Sequence, residues 1–234
     1  MKAAMLPSFW VVIPAAGVGS RMRADRPKQY LPLAGKTIIE HTIECFLDHP
    51  RLLGVVVSLA TADPYWPRLE CASDSRIQRA DGGAERAESV LSGLRRVAEL
   101  GARDEQWVLV HDAARPNLAR EDLDRLLAEL ANDPVGGLLA VPARDTLKRA
   151  GDDGRVQETI DRSVVWQAFT PQMFRLGALR DALAGALEAG APVTDEASAL
   201  EWAGLSPKLI EGRADNLKVT RPEDLHGLEQ RWQS

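Results

Sequence analysis

The sequence predicts an α/β fold: a mainly parallel sheet covered by helices on both faces, with one β-hairpin interrupting the alternation. Continuous apolar, β-branched runs at 9–13, 54–59, 107–111 and 138–141 have the character of strands buried on both sides. Between them lie stretches with apolar residues at helical spacing, at 37–47, 84–94 and 120–131, as parallel crossovers require. The alternation then breaks at Pro142, where two short strand-like segments flank Gly151-Asp152-Asp153-Gly154, a turn-forming sequence.

Composition bounds the possibilities. A chain of 234 residues, 45% apolar and 27% charged, can bury a core as one large domain or one domain with an appendage. We read it as a single domain over 1–234 with an inserted β-arm at about 142–165. A net charge of −5 argues against a general nucleic-acid binder, which is usually basic. Cys45 and Cys71 are too few and too far apart for a disulfide framework or a zinc site, so a reducing, cytoplasmic compartment is expected. Residues 1–8 lack a signal-peptide pattern. No apolar run approaches the ~20 residues that cross a bilayer, and no membrane partner is expected.

The first strand, Phe9-Trp10-Val11-Val12-Ile13, delivers the chain into Pro14-Ala15-Ala16-Gly17-Val18-Gly19 and then a cationic segment bearing Arg21, Arg23, Arg26 and Lys28. Small residues leave backbone N–H groups uncovered, and bare amides beside cations suit a polyphosphate. Met22 excludes the dinucleotide fingerprint, and the loop lacks the Gly-Lys pair of a Walker loop. The plain alternative is a small-residue turn with a solvated basic face.

A helix over 37–47 and a strand over 54–59 come next, then a short helix over 63–72, against which Pro64 and Pro67 argue. A strand over 76–80 ends at Asp81-Gly82-Gly83. That Gly-Gly opens a helix from Ala84, whose N-terminus is a second candidate anion or nucleobase contact. The strand 107–111 runs into Asp112-Ala113-Ala114-Arg115, and a turn at Gly136-Gly137 precedes the strand 138–141. After the hairpin, 164–169 regains strand character, 176–189 is helical, and Thr194-Asp195-Glu196 opens another helix with acidic residues at its start. A short strand ends at Gly212, 215–219 is a loop, and Pro222 starts the terminal helix.

Ligands of open α/β sheets bind beyond the C-terminal strand ends. That edge gathers residues 15–28, 81–89, 112–115 and 215–218, and so Arg21, Lys28 and Lys218 with Asp112 and Asp215. Asp112 is placed to hold Mg²⁺ on a nucleotide phosphate, or is a capping or turn aspartate. Asp215 is the weaker candidate, because Asp-Asn pairs are ordinary turn formers. His111 reads more readily as a packed core residue than as a base. No nucleophile-and-base pair stands out; cations and carboxylates suit phosphoryl or nucleotidyl transfer, where positioning and charge stabilisation dominate.

Seven blocks carry a resemblance: Pro-Ala-Ala-Gly-x-Gly-x-Arg-Met at 14–22, Pro-Lys-Gln-Tyr at 27–30, Asp-Gly-Gly-x-Glu-Arg at 81–86, Val-His-Asp-Ala-Ala-Arg-Pro at 110–116, Arg-Asp-Thr-Leu-Lys at 144–148, Thr-Asp-Glu-Ala-Ser-Ala at 194–199 and Gly-Arg-Ala-Asp-Asn-Leu-Lys-Val-Thr at 212–220. In this order they resemble the 2-C-methyl-D-erythritol 4-phosphate cytidylyltransferases of the non-mevalonate isoprenoid pathway, across residues 9–225. The resemblance implies a Rossmann-like sheet of nucleotidyltransferase type with a dimerisation arm. It also implies the reaction of CTP with methylerythritol phosphate, assisted by Mg²⁺. Arg21 and Lys28 would stabilise the α-phosphate over the 15–19 loop, and Asp112, with Asp215 as a second candidate, would hold the metal. Cytosine would be read around Ala15, Ala16, Gly83 and Ser89; Pro14 and Arg115 fall in the same substrate-binding blocks. Arms of a homodimer would clasp, bringing Thr146 and Arg162 to the acceptor in the neighbouring site. Arg162 and Lys218 would hold the acceptor phosphate, with Thr170 and Thr194 lining the same pocket. Ala84 departs from a position often acidic in the family. A sister enzyme using a pentitol phosphate, and a nucleotide-binding regulatory module without catalysis, are the rival readings.

Overall fold

A computed structural model of the chain describes residues 6–17, 19, 22 and 24–232. In chain order, β1 (Phe9–Pro14) is followed by a small hairpin, β2 (Pro32–Leu33) and β3 (Lys36–Thr37), then α1 (Ile38–Leu47) and β4 (Leu52–Leu59). Next come β5 (Ile77–Asp81), α2 (Arg86–Glu99), β6 (Trp107–Val110), α3 (Arg120–Leu130) and β7 (Gly136–Pro142). The second half holds β8 (Leu147–Ala150), β9 (Val156–Ile160), β10 (Trp166–Arg175), α4 (Leu176–Glu188), α5 (Glu196–Trp202), β11 (Lys208–Glu211) and α6 (Pro222–Trp232).

Among the described residues, seven strands form the main sheet in the order β11-β7-β10-β6-β1-β4-β5. All neighbours are parallel except β10, which runs against both β6 and β7. Successive side chains of a strand face opposite sides, and β1 shows the result. Phe9, Val11 and Ile13 pack with Ile43 and Phe46 of α1 and Leu126 of α3. Val12 packs on the other face with Val90 and Leu94 of α2 and Leu183 of α4. The α1 start is fixed chemically: the Thr37 hydroxyl accepts from the Glu40 amide, and the Glu40 carboxylate accepts from the Thr37 amide, a capping box.

From β1 the chain steps outward to β4 and β5, then returns across β1 to β6. The strand order therefore switches direction between β1 and β6, which opens a crevice beyond their C-terminal ends. The arm leaves from that same edge. β7 and β10 pair antiparallel with Pro142 opposite Trp166, and the hairpin β8–β9, a separate two-stranded sheet, is the insertion between them. Among the described residues, no helix is long and apolar enough to cross a membrane.

Three local expectations are corrected. Residues 63–72 form no α-helix but two 3₁₀ turns, Trp66–Arg68 and Glu70–Ser73, because Pro64 and Pro67 remove the donors and geometry a regular helix needs. Gly136 and Gly137 belong to β7 rather than to a preceding turn. They are needed for close approach: a Cβ on Gly137 would stand 2.1 Å from the Lys208 carbonyl oxygen of β11. The α2 helix begins at Arg86, two residues later than expected. Gly82-Gly83 is therefore not its first turn. The Gly83 amide donates instead to Ser89 Oγ at 3.1 Å.

Candidate active site

The loop leaving β1 is held from behind. The Ala15 amide extends the sheet by one bond, donating to the Ser58 carbonyl at 2.8 Å. Buried Gln29 then donates through Nε2 to the carbonyls of Ala15 (2.7 Å) and Gly17 (3.2 Å). In a trans peptide the carbonyl and the following N–H point opposite ways, so drawing the Ala15 carbonyl to Gln29 turns the Ala16 N–H away from it. Gly19 takes a left-handed φ of +65°, and a Cβ there would collide with the Lys28 stem, 2.8 Å from Cγ. The Lys28 ammonium donates to the Val219 carbonyl at 3.0 Å. That contact ties the segment after β1 to the 213–219 strap.

The second strand end is β6. His111 is fully buried and serves the backbone: Nδ1 accepts from the Thr170 hydroxyl and Nε2–H donates to the Arg115 carbonyl, each at 3.0 Å. Burial pushes its pKa down to about 4, so it is a neutral core group. The same Thr170 oxygen accepts from the Asp112 amide at 3.0 Å. With the backbone set this way, the Asp112 carboxylate meets three cations. Arg86 Nε reaches Oδ1 at 3.1 Å, while Arg115 Nε (3.3 Å) and Lys218 Nζ (2.9 Å) share Oδ2. Burial works to protonate the Asp112 carboxyl, but Arg86, Lys218 and Arg115 outweigh it and hold the group far below the usual carboxylate range. Arg86 is itself anchored, its two Nη atoms forked onto buried Glu196 at 2.7 and 3.2 Å.

Two clefts meet here. The first is lined by Pro14, Ala15, Ala16, Gly17, Gly19, Lys28, Gly83, Ala84 and Ser89. The second is lined by Arg115, Phe169, Thr170, Thr194 and Asp195. Arg86, Asp112 and Lys218 border both. β10 loses register with β7 between Ala168 and Gln172, and such an irregularity re-aims side chains; Phe169 and Thr170 of this stretch wall the second cleft.

Other expected site residues stand elsewhere. Arg21 lies outside the described residues. Thr146 and Arg162 are exposed, border neither cleft and belong to the arm; the Arg162 guanidinium donates to the Arg144 carbonyl. Asp215 also borders neither cleft. Its two oxygens are taken by Arg213, at 3.0 and 2.6 Å, which lowers its carboxyl pKa. Among the described residues, no three His, Cys, Asp or Glu side chains converge as a metal cage. The donor set fits Mg²⁺ only as a companion of phosphate, with Asp112 as the carboxylate that borders both clefts and the remaining ligands from phosphate and water. Sequence reading missed Gln29, Arg86 and Glu196, although each lies inside a block that carried the resemblance.

The family model for IspD, 2-C-methyl-D-erythritol 4-phosphate cytidylyltransferase, matches residues 9–230. The chain is 73% identical over 229 residues to the Pseudomonas paraeruginosa 2-C-methyl-D-erythritol 4-phosphate cytidylyltransferase, covering 98% of each chain. It is likewise 73% identical over 227 residues to the Pseudomonas fluorescens protein of that name, covering 97% of each. Among solved structures, the Francisella tularensis protein of that name superposes with a TM-score of 0.83 at 35% identity, over 97% of this chain and 100% of that one.

Proposed function

The chain belongs to the 2-C-methyl-D-erythritol 4-phosphate cytidylyltransferase family, and from that membership we propose how its two clefts share the work. The protein is a cytidylyltransferase. It transfers the cytidylyl group of CTP to 2-C-methyl-D-erythritol 4-phosphate, giving 4-diphosphocytidyl-2-C-methyl-D-erythritol and pyrophosphate in the non-mevalonate route to isoprenoid precursors.

In our reading CTP occupies the first cleft, with its triphosphate over the 15–19 loop and cytosine toward Gly83 and Ser89. Arg21 and Lys28 stabilise the charge that gathers on the α-phosphate. The acceptor occupies the second cleft, among Arg115, Thr170 and Thr194, with Lys218 on its phosphate. A phosphate monoester has a second pKa of about 6 and is largely dianionic at neutral pH, so it attacks without a protein base. Its oxygen bonds to the α-phosphorus in line with the departing oxygen, and the bond from that phosphorus to pyrophosphate breaks. Mg²⁺ carried by the triphosphate, with Asp112 as its protein ligand, would neutralise charge on the leaving pyrophosphate.

The observation that carries this reading is the shared border. Arg86, Asp112 and Lys218 edge both clefts, and a shared edge is what the meeting of two phosphates requires. We further propose a homodimer in which arms cross and bring Thr146 and Arg162 to the neighbouring acceptor cleft. Support comes from the arm's form: among the described residues β8–β9 forms a two-stranded sheet of its own, and Val156 and Val164 are 63% and 77% exposed. A cytoplasmic setting is part of the proposal, with Cys45 and Cys71 as free thiols that burial pushes up to about 11 and about 12.

A pyrophosphate-release assay tests the whole. Release must require CTP and methylerythritol phosphate together. Equal turnover with ribitol 5-phosphate would point to the pentitol reading, and CTP binding without release under any acceptor would point to a regulatory module.

A further inference from the structure

Lys218 has two duties in the reading above, and they conflict. Its ammonium is 2.9 Å from Asp112 Oδ2, yet it is the group assigned to the acceptor phosphate. When it turns to that phosphate, Asp112 loses one of three cations. The nearly buried carboxylate must then stay ionised and aimed with what remains. Arg115 is a poor substitute, since its Nε contact is the longest at 3.3 Å and its Nη1 is committed to the Asn216 carbonyl at 2.7 Å. Arg86 is better placed. It approaches the other oxygen, Oδ1, at 3.1 Å, and its two Nη atoms are held by a protein carboxylate. Its fork is locked by Glu196, whose side chain is 2% exposed, from the first turn of α5. Arg86 itself starts α2, so the pair joins two helices at the boundary of the clefts.

We infer that the Arg86–Glu196 pair is a positioning device: it holds Asp112 at the junction of the two clefts while Lys218 transfers from Asp112 to the acceptor phosphate. The inference rests on the proposed assignment of the second cleft to the acceptor. Glu196 touches no substrate in this scheme. Its effect passes through the planar fork of Arg86, a geometry that lysine cannot reproduce. Burial also binds Glu196 to its partner: without Arg86 it would be an uncompensated charge behind the cleft.

The test compares wild type, Glu196→Gln, Arg86→Lys and the double variant Arg86→Gln/Glu196→Gln, which strands neither charge. Melting temperature, CTP affinity by equilibrium titration, and steady-state KM and kcat for methylerythritol phosphate are measured on each full-length chain. We expect KM for the acceptor to rise roughly ten- to a hundredfold in the single variants, with the CTP affinity of Glu196→Gln, titrated without divalent metal, within about twofold of wild type. Arg86→Lys should not rescue, because charge without the fork fails. The double variant should melt near wild type and keep the acceptor defect. A native acceptor KM in a folded Glu196→Gln or double variant overturns the inference. So does an equal loss of metal-free CTP affinity and acceptor affinity in Glu196→Gln, or a fall in kcat alone matched by a lower melting temperature, which marks a merely structural pair. A wild-type chain that releases no pyrophosphate removes the underlying reading instead, and is recognised without any variant.

Discussion

Lys28 and Gln29 are adjacent and do different jobs. Lys28 presents its ammonium at the first cleft, with the Val219 carbonyl 3.0 Å away. Removing one positioned charge of this kind typically costs about 2.7–4 kcal/mol of transition-state stabilisation. Lys28→Ala should therefore lower kcat by roughly a hundredfold or more while the melting temperature stays near wild type; near-normal turnover would strip Lys28 of its role. Gln29 acts on the loop instead of the ligand. Gln29→Ala frees two carbonyls, and the KM for CTP should rise about tenfold with a smaller change in kcat. Gln29→Glu should be worse, since it sets a carboxylate against the same two oxygens. Equilibrium titration with CTP checks both. The reason Gln29 went unread in the sequence is that its partners are main-chain oxygens, which carry no residue signature.

Elements have their own points of strain and of pH sensitivity. The β2–β3 hairpin turns through Ala34 and Gly35 at φ 46° and 87°, a two-residue turn with both residues left-handed. Glycine accepts this freely, but alanine is held there at a cost of about 1 kcal/mol. Ala34→Asn should raise stability by about 1 kcal/mol in denaturant unfolding and leave activity alone. Between α1 and β4, His49 accepts from the Arg51 amide through Nδ1 and donates to Asp124 through Nε2, both at 3.0 Å. Burial pulls its pKa below the ordinary value, against Asp124 and with Arg120 and Arg51. The unfolded chain then binds more protons than the folded one below about pH 6.5, so stability falls as pH drops through that region. His49→Asn keeps an acceptor for the Arg51 amide and cannot protonate there. Its melting temperature should fall less than that of wild type between pH 7 and pH 5.

At the scale of the whole molecule, the proposed crossed-arm dimer makes a quantitative demand. In such a dimer one site takes Lys28 from its own chain and Arg162 from the neighbour. Mixing equal amounts of Lys28→Ala and Arg162→Ala chains, after dissociation and reassembly, yields heterodimers with one native site. Activity should recover to about a quarter of wild type. If each site is built within one chain, no recovery occurs.

This scale also shows what a linear sequence transmits. Parallel strands were legible because Val11-Val12-Ile13, Val55-Val56-Val57 and Val108-Leu109-Val110 are buried on both faces and so are apolar throughout. The edge where ligands gather followed from topology, and the loop after β1, Lys28, Asp112 and Lys218 all border one cleft there. Gly136-Gly137 misled because a glycine pair reads as a turn, whereas here it admits the backbone of β11. Arg86 and Glu196 are 110 residues apart, and no local pattern pairs them. Asp215 stood in the right block, but its neighbour Arg213 claims both its oxygens.

The 213–219 strap has a consequence for biosynthesis. It supplies Lys218 to Asp112, the Asn216 carbonyl to Arg115 and the Val219 carbonyl to Lys28, and the Val219 amide closes onto the Ala114 carbonyl at 2.8 Å. A chain emerging from the ribosome has laid down every strand of its sheet before this strap is translated. If Lys28 and Lys218 act as proposed, a chain truncated before the strap should therefore release no pyrophosphate from CTP even where its strands are all present.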